Sequence, residues 1–157
     1  MKFLATLKTF SILILSSVAL AHDPSHPAPD AHLVFPNNGV HAHIDWLNNG
    51  PNHEGAESFL RIQFRNAATH QPTEINALPE VSLWMTDMGH GSAPTALRRE
   101  VDSLGNVVTG AYLVSNIYFV MGGIWDVRVN LKSPNVAQEM KAFKVEIHND
   151  HDHGGHH

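Results

Sequence analysis

The chain contains no cysteine. That absence excludes a disulfide framework, a cysteine nucleophile, thiol lipidation, and the thiolate-bound zinc, iron–sulfur and blue-copper sites. Basic side chains are also in short supply, with 10 Lys and Arg against 15 Asp and Glu and a formal charge of -5. Such a balance lacks the electrostatic footprint of a nucleic-acid or anionic-lipid binder and mildly attracts cations. No apolar run reaches the roughly 20 residues that a membrane-spanning helix needs; the one at residues 10–20 is too short. The signatures of common catalytic machinery are missing as well: there is no G-x-S-x-G elbow, no H-E-x-x-H helix and no Gly-rich phosphate loop. Asp87 lies near His90 but has no nucleophile beside it, so the chain reads as a non-enzyme.

What is present begins at the N-terminus. Lys2 and Lys8 precede or flank a short apolar stretch that ends in Ala19-Leu20-Ala21, a small-x-small cleavage pattern. This predicts a signal peptide over residues 1–21 and a secreted, periplasmic protein with no membrane span once the signal is removed. The rest divides into a His/Pro-rich leader at 22–30, a domain at 31–148 and a His-rich tail at 149–157. Neither the leader nor the tail has the apolar content to build a core.

Between those ends the pattern is that of strands. Alternating or continuously apolar runs occur at 31–35, 39–45, 58–65, 80–86, 95–101, 111–120, 124–132 and 142–148. Asn37-Asn38-Gly39, Asn48-Asn49-Gly50-Pro51, Leu104-Gly105-Asn106 and Ser133-Pro134-Asn135 punctuate them as turns. The expected fold is all-β, an antiparallel immunoglobulin-like β-sandwich of about seven or eight strands. Period-2 sorting puts Leu60, Ile62, Phe64, then Val81, Leu83, Met85, then Val127, Val129, Leu131, then Phe143, Val145, Ile147 inward. Asp126, Arg128 and Asn130 face water, while the alternation does not place Trp84 and Trp125.

Histidine is the compositional outlier, with 13 in the chain. His22, His26 and His32 belong to or border the leader; His148, His151, His153, His156 and His157 belong to or border the tail. Imidazoles interleaved with carboxylates, as at His151 and His153, form weak sites for Cu(II) or Zn(II). Sharper chemistry lies in Trp84-Met85-Thr86-Asp87-Met88-Gly89-His90-Gly91, where two thioethers and an imidazole fall within six residues. Met121 closes a second run before Gly122-Gly123. Thioether sulfur with imidazole nitrogen favours copper, Cu(I) above all. Met88 and His90 follow a strand in a segment that turns, where binding residues usually sit. Met85 is in phase with Val81 and Leu83 and reads more readily as a core filler than as a ligand; Met121 reads either as a ligand or as a plug for the end of the sandwich. If the two segments share one end of the sandwich, Met88, His90 and Met121 form a two-sulfur, one-nitrogen set.

Residues 83–91, with Gly110-Ala111-Tyr112 and Phe119-Val120-Met121-Gly122-Gly123-Ile124-Trp125-Asp126-Val127 after them, resemble the YtkA-like and FixH-like group of exported domains. The resemblance covers residues 58–147. It implies an immunoglobulin-like fold, a part in copper handling, often around assembly of haem-copper oxidases, and Met88, His90 and Met121 as metal residues, with Met85 secondary. FixH-type members keep an N-terminal membrane anchor, whereas the cleavage pattern here predicts release.

The leading expectation is a copper carrier or buffer, a metallochaperone in copper homeostasis or cuproenzyme assembly. Its partners would be the ion and a cuproenzyme or copper-transfer protein. Two rivals remain. One is an interaction sandwich with only incidental metal binding by its tail. The other is a Cu(II) site at a mature N-terminal His22, which would chelate through amine and ring, with His41 or His43 adding a second imidazole. His41 and His43 alternate onto one strand face, whereas His53 and His70 read as exposed loop residues.

Overall fold

A computed structural model describes residues 31–48 and 50–148, so the expected signal peptide, leader and tail, with His22, His151 and His153, lie outside the described residues. Nine strands form: β1 (Ala31–Phe35), β2 (Val40–Leu47), β3 (Glu57–Asn66), β4 (Leu78–Met85), β5 (His90–Gly91), β6 (Ala96–Val101), β7 (Val107–Tyr118), β8 (Gly123–Lys132) and β9 (Glu139–Ile147). They make two antiparallel sheets, a five-stranded one in the order β1-β2-β3-β7-β6 and a four-stranded one in the order β5-β4-β8-β9. All eight expected strands are present, the first with its expected bounds and the other seven with shifted ends. The ninth, β5, is only two residues long, too short to leave a periodic signal.

The sheets face each other across the side chains that alternation assigns inward. Leu60, Ile62, Phe64, Val127, Val129 and Leu131 are fully buried, Val81, Leu83, Met85, Val145 and Ile147 are nearly so, and Phe143 is only half-buried, packed against the rest. Trp125 continues the Val127 and Val129 phase and has no exposed surface, whereas Trp84 points outward with the Arg128 guanidinium 4.9 Å above its ring. Phe64 meets Phe35 and Tyr112 edge to face, joining three strands of the five-stranded sheet in one aromatic run. Each large apolar side chain taken from water contributes about 1.5–3 kcal/mol. With no cross-link in the chain, this layer carries the stability.

Two polar devices hold the irregular parts. The β3–β4 connection folds back across the sheet, so that Thr73 N–H donates to Phe64 O at 3.1 Å and Gly110 N–H donates to Glu74 Oε1 at 3.0 Å. Arg99 clamps the same carboxylate at 2.6 Å, and these two donors hold the Glu74 carboxyl below its ordinary range. Gly110 has φ +65°, and a Cβ there would overlap the backbone oxygens of Thr73 and Phe64. On the other sheet, Thr86 Oγ1 donates to Asp126 Oδ2 at 2.8 Å and Lys144 Nζ reaches Oδ1 at 3.0 Å. The Asp126 carboxyl is accordingly lowered from 3.8, first by the Thr86 hydroxyl and then by Lys144 and Arg128.

Gly110→Ala should destabilise the fold by more than about 2 kcal/mol, because the blocking atoms are backbone and cannot rotate away; equilibrium denaturation in urea measures it. Asp126→Asn should cost about 1 kcal/mol at pH 7. A lowered folded-state pKa gives stability that is present above the ordinary carboxylate range and is lost as pH falls through the folded value. The gap between wild type and Asp126→Asn should therefore narrow below pH of about 4 in thermal melts.

Candidate metal centre

The sequence segment 83–91 becomes a tight hairpin rather than an open loop. β4 runs to Met85, the chain turns over residues 86–89, and Gly89, at φ +66°, donates its N–H to Met85 O at 2.9 Å. β5 then pairs back, with Trp84 opposite Gly91 and Met85 opposite His90. Residues directly opposite in an antiparallel pair project to the same face of the sheet. His90 therefore shares the inward face with Met85, which is buried, and is itself half-buried. Met88 is placed at the turn and is 63% exposed. Ser92 Oγ donates to Tyr118 O at 2.5 Å, tying the end of this hairpin to the end of β7.

The second candidate segment meets the first at that same end. Trp125 Nε1–H donates to Met121 O at 3.0 Å, which folds residues 119–122 over the indole. The His90 ring stands edge-on to Trp125, with centroids 5.9 Å apart, and Phe119 contacts the indole from another side at 5.8 Å. Gly123 lies over Met85, where a Cβ would stand 3.0 Å from the Met85 methyl. Met121 itself is half-buried and packs against the core. Met85, His90 and the Met121 segment thus converge around Trp125, with Met88 outside them on the exposed turn. Trp125, like Trp84, is a residue that the sequence leaves unplaced, and its phase with Val127 was the available signal.

Thioether and imidazole groups grouped at a mostly apolar end suit a soft ion of low coordination number, since carboxylates and water are the donors of hard cations. Thr86, beside the turn, is committed to Asp126, and that carboxylate is committed to Lys144. A separate groove of about 530 Å³ runs along Pro79, Ser82, Pro94, Arg128 and Met140. It contains no histidine, and neither Met85 nor His90 lines it.

His41 and His43 project from β2 on the outer face of the five-stranded sheet, as alternation requires. They stand at the opposite end of β3 from the methionines: β3 pairs Glu57 with Tyr118 at one end and Arg65 with His41 at the other. His32, grouped with the leader in the sequence, is instead a β1 residue directly opposite His43. His70, an exposed loop residue as the sequence suggests, lies with its ring 5.5 Å from that of His41. Partial burial lowers the pKa of both His41 and His43 from 6.5; His32 and His70 add to this at His41, and His32 and Arg65 at His43. Among the described residues no three His, Asp or Glu side chains are already converged as a metal cage.

No family model matches the chain, and no curated protein matches it. Among solved structures it is similar to the crystal structure of a DUF4426 family protein from Pseudomonas aeruginosa PAO1. The TM-score is 0.52 at 14% identity, over 77% of this chain and 99% of that one. At that identity the likeness is one of fold.

Proposed function

We propose that this chain is a periplasmic copper-binding protein, a non-catalytic Cu(I) carrier or buffer of the YtkA-like and FixH-like kind. Its site is at the end of the sandwich where the β4–β5 hairpin meets residues 119–123. The observation that supports this most is the register pairing of Met85 with His90 beneath the segment that Trp125 holds through Met121 O. In this reading His90 and Met121 supply the half-buried nitrogen and sulfur, Met88 would reach them from its exposed place on the turn, and Met85 would form the floor. Three-coordinate binding by two thioethers and one imidazole is chemistry that Cu(I) accepts and that zinc, without thiolate or more imidazole, does not. An exposed Met88 gives the ion an entry and an exit, which a carrier needs when handing its cargo to a cuproenzyme or copper-transfer partner.

The test is an anaerobic Cu(I) competition titration with a chromophoric chelator, using the full chain in which His151, His153, His156 and His157 are replaced by Asn. One tight equivalent is expected. Replacing Met88 and Met121 together by Leu should abolish it while the far-UV spectrum stays the same, because Met to Leu conserves volume and usually costs less than about 1.5 kcal/mol. Unchanged affinity in that double variant would overturn the assignment. Met85→Leu decides whether the buried sulfur is a ligand, with loss of affinity, or packing alone, with none.

A further inference from the structure

At the other end of the five-stranded sheet, four histidines from three stretches of chain form one surface group. His32 and His43 are cross-strand partners, with ring centroids 4.7 Å apart. His41 is two residues from His43 on the same face, and its ring is 4.8 Å from that of His32. His70 joins from the turn after β3, 5.5 Å from His41. That turn is held in place, since His70 N–H donates to Asn66 O at 2.9 Å and Arg65 Nη1 donates to His70 O at 3.0 Å.

We propose that His32, His41, His43 and His70 form a second metal site, separate from the methionine end, that takes a divalent ion of imidazole preference, Cu(II) ahead of Zn(II). The distances carry it. Two imidazole nitrogens on one ion at about 2.0–2.1 Å are about 2.9 Å apart at a right angle and about 3.3 Å apart at a tetrahedral angle. His32 Nε2 and His41 Nδ1 share a hydrogen bond at 3.1 Å, a separation between those limits, so an ion that displaces the shared proton finds both nitrogens at ligand spacing. Rings bound this way have centroids about 4.5–5.2 Å apart, which brackets the His32–His41 and His32–His43 separations and falls slightly short of the His41–His70 one.

The remaining adjustment is rotation about side-chain torsions, because the sheet register already sets the Cβ positions of His32, His41 and His43. Hard cations are excluded by the surroundings: the nearby carboxylate, Asp45, faces Arg61 at 3.7 Å, and Arg65 borders the rings. Neutral nitrogen donors beside a guanidinium select an ion by covalent preference rather than by charge, and Cu(II) leads that order.

The proposal is tested on the full chain with His22, His26, His151, His153, His156 and His157 replaced by Asn, titrated with Zn(II) by calorimetry and with Cu(II) by electron paramagnetic resonance. One equivalent should bind, and the Cu(II) spectrum should show coupling to several nitrogens. His41→Asn, at the centre of the group, should weaken binding at least about tenfold, the scale of effect that even outer-sphere partners of metal ligands reach. His32→Asn should do the same, with an unchanged melting temperature in the absence of metal serving as the folding control. Met88→Leu with Met121→Leu should leave this site intact, so failure here is distinct from failure at the methionine end. No divalent binding in the His-to-Asn background, or binding that survives both His32→Asn and His41→Asn, would overturn it.

Discussion

The burial of Trp125 is the constraint on which the candidate copper end depends. Its indole has no exposed surface, and a buried N–H without a partner would cost about 1–3 kcal/mol. Met121 O is that partner. Satisfying one donor therefore fixes the path of residues 119–122 and brings Met121 to the end of the sheet where β4 turns. The same ring gives His90 and Phe119 a flat surface to stand against. A core residue and a site residue are here one side chain, so the rigidity of the sandwich passes directly to the donor groups.

That economy has a counterpart in how the sandwich is held together. Without disulfides, the two sheets stay joined by apolar burial, and the weak points are the places where the chain leaves the regular ladder. At one such place the bulged β7 passes under the β3–β4 connection, where Gly110 gives the backbone room and Glu74, held by Arg99, accepts from the Gly110 N–H. At another, Thr86 and Asp126 pin the base of the turn that carries Met88.

The chain separates two kinds of donor. Sulfur and one imidazole lie at the apolar end beside β5, and imidazoles without sulfur lie on the outer face of β1 and β2. In the proposed reading, soft and borderline donors at opposite ends of β3 would sort the two oxidation states of copper by ligand chemistry, with no need for different folds. The sandwich contributes the spacing, since strand register puts His32 opposite His43 and Met85 opposite His90 in the same way.

Alternation in residues 58–65, 80–86 and 124–132 was enough to assign which side chains face inward, because a one-residue slip would turn every apolar group to water. Gly39, Gly105 and their Asn neighbours marked turns for an equally local reason, the ease of positive φ. Met88, His90 and Met121 could be named as soft donors from their chemistry alone. Pattern could not tell that β5 exists, that His90 lies opposite Met85 rather than beside Met88, or that His32 and His70 meet His41. Those facts come from pairing between residues distant in the chain. The sequence by itself determined the inward face of most strands and which donors are available, since both follow from local period and chemistry. Only the tertiary structure decided which donors stand together, because long-range register and the single hydrogen bond of a buried indole set those distances.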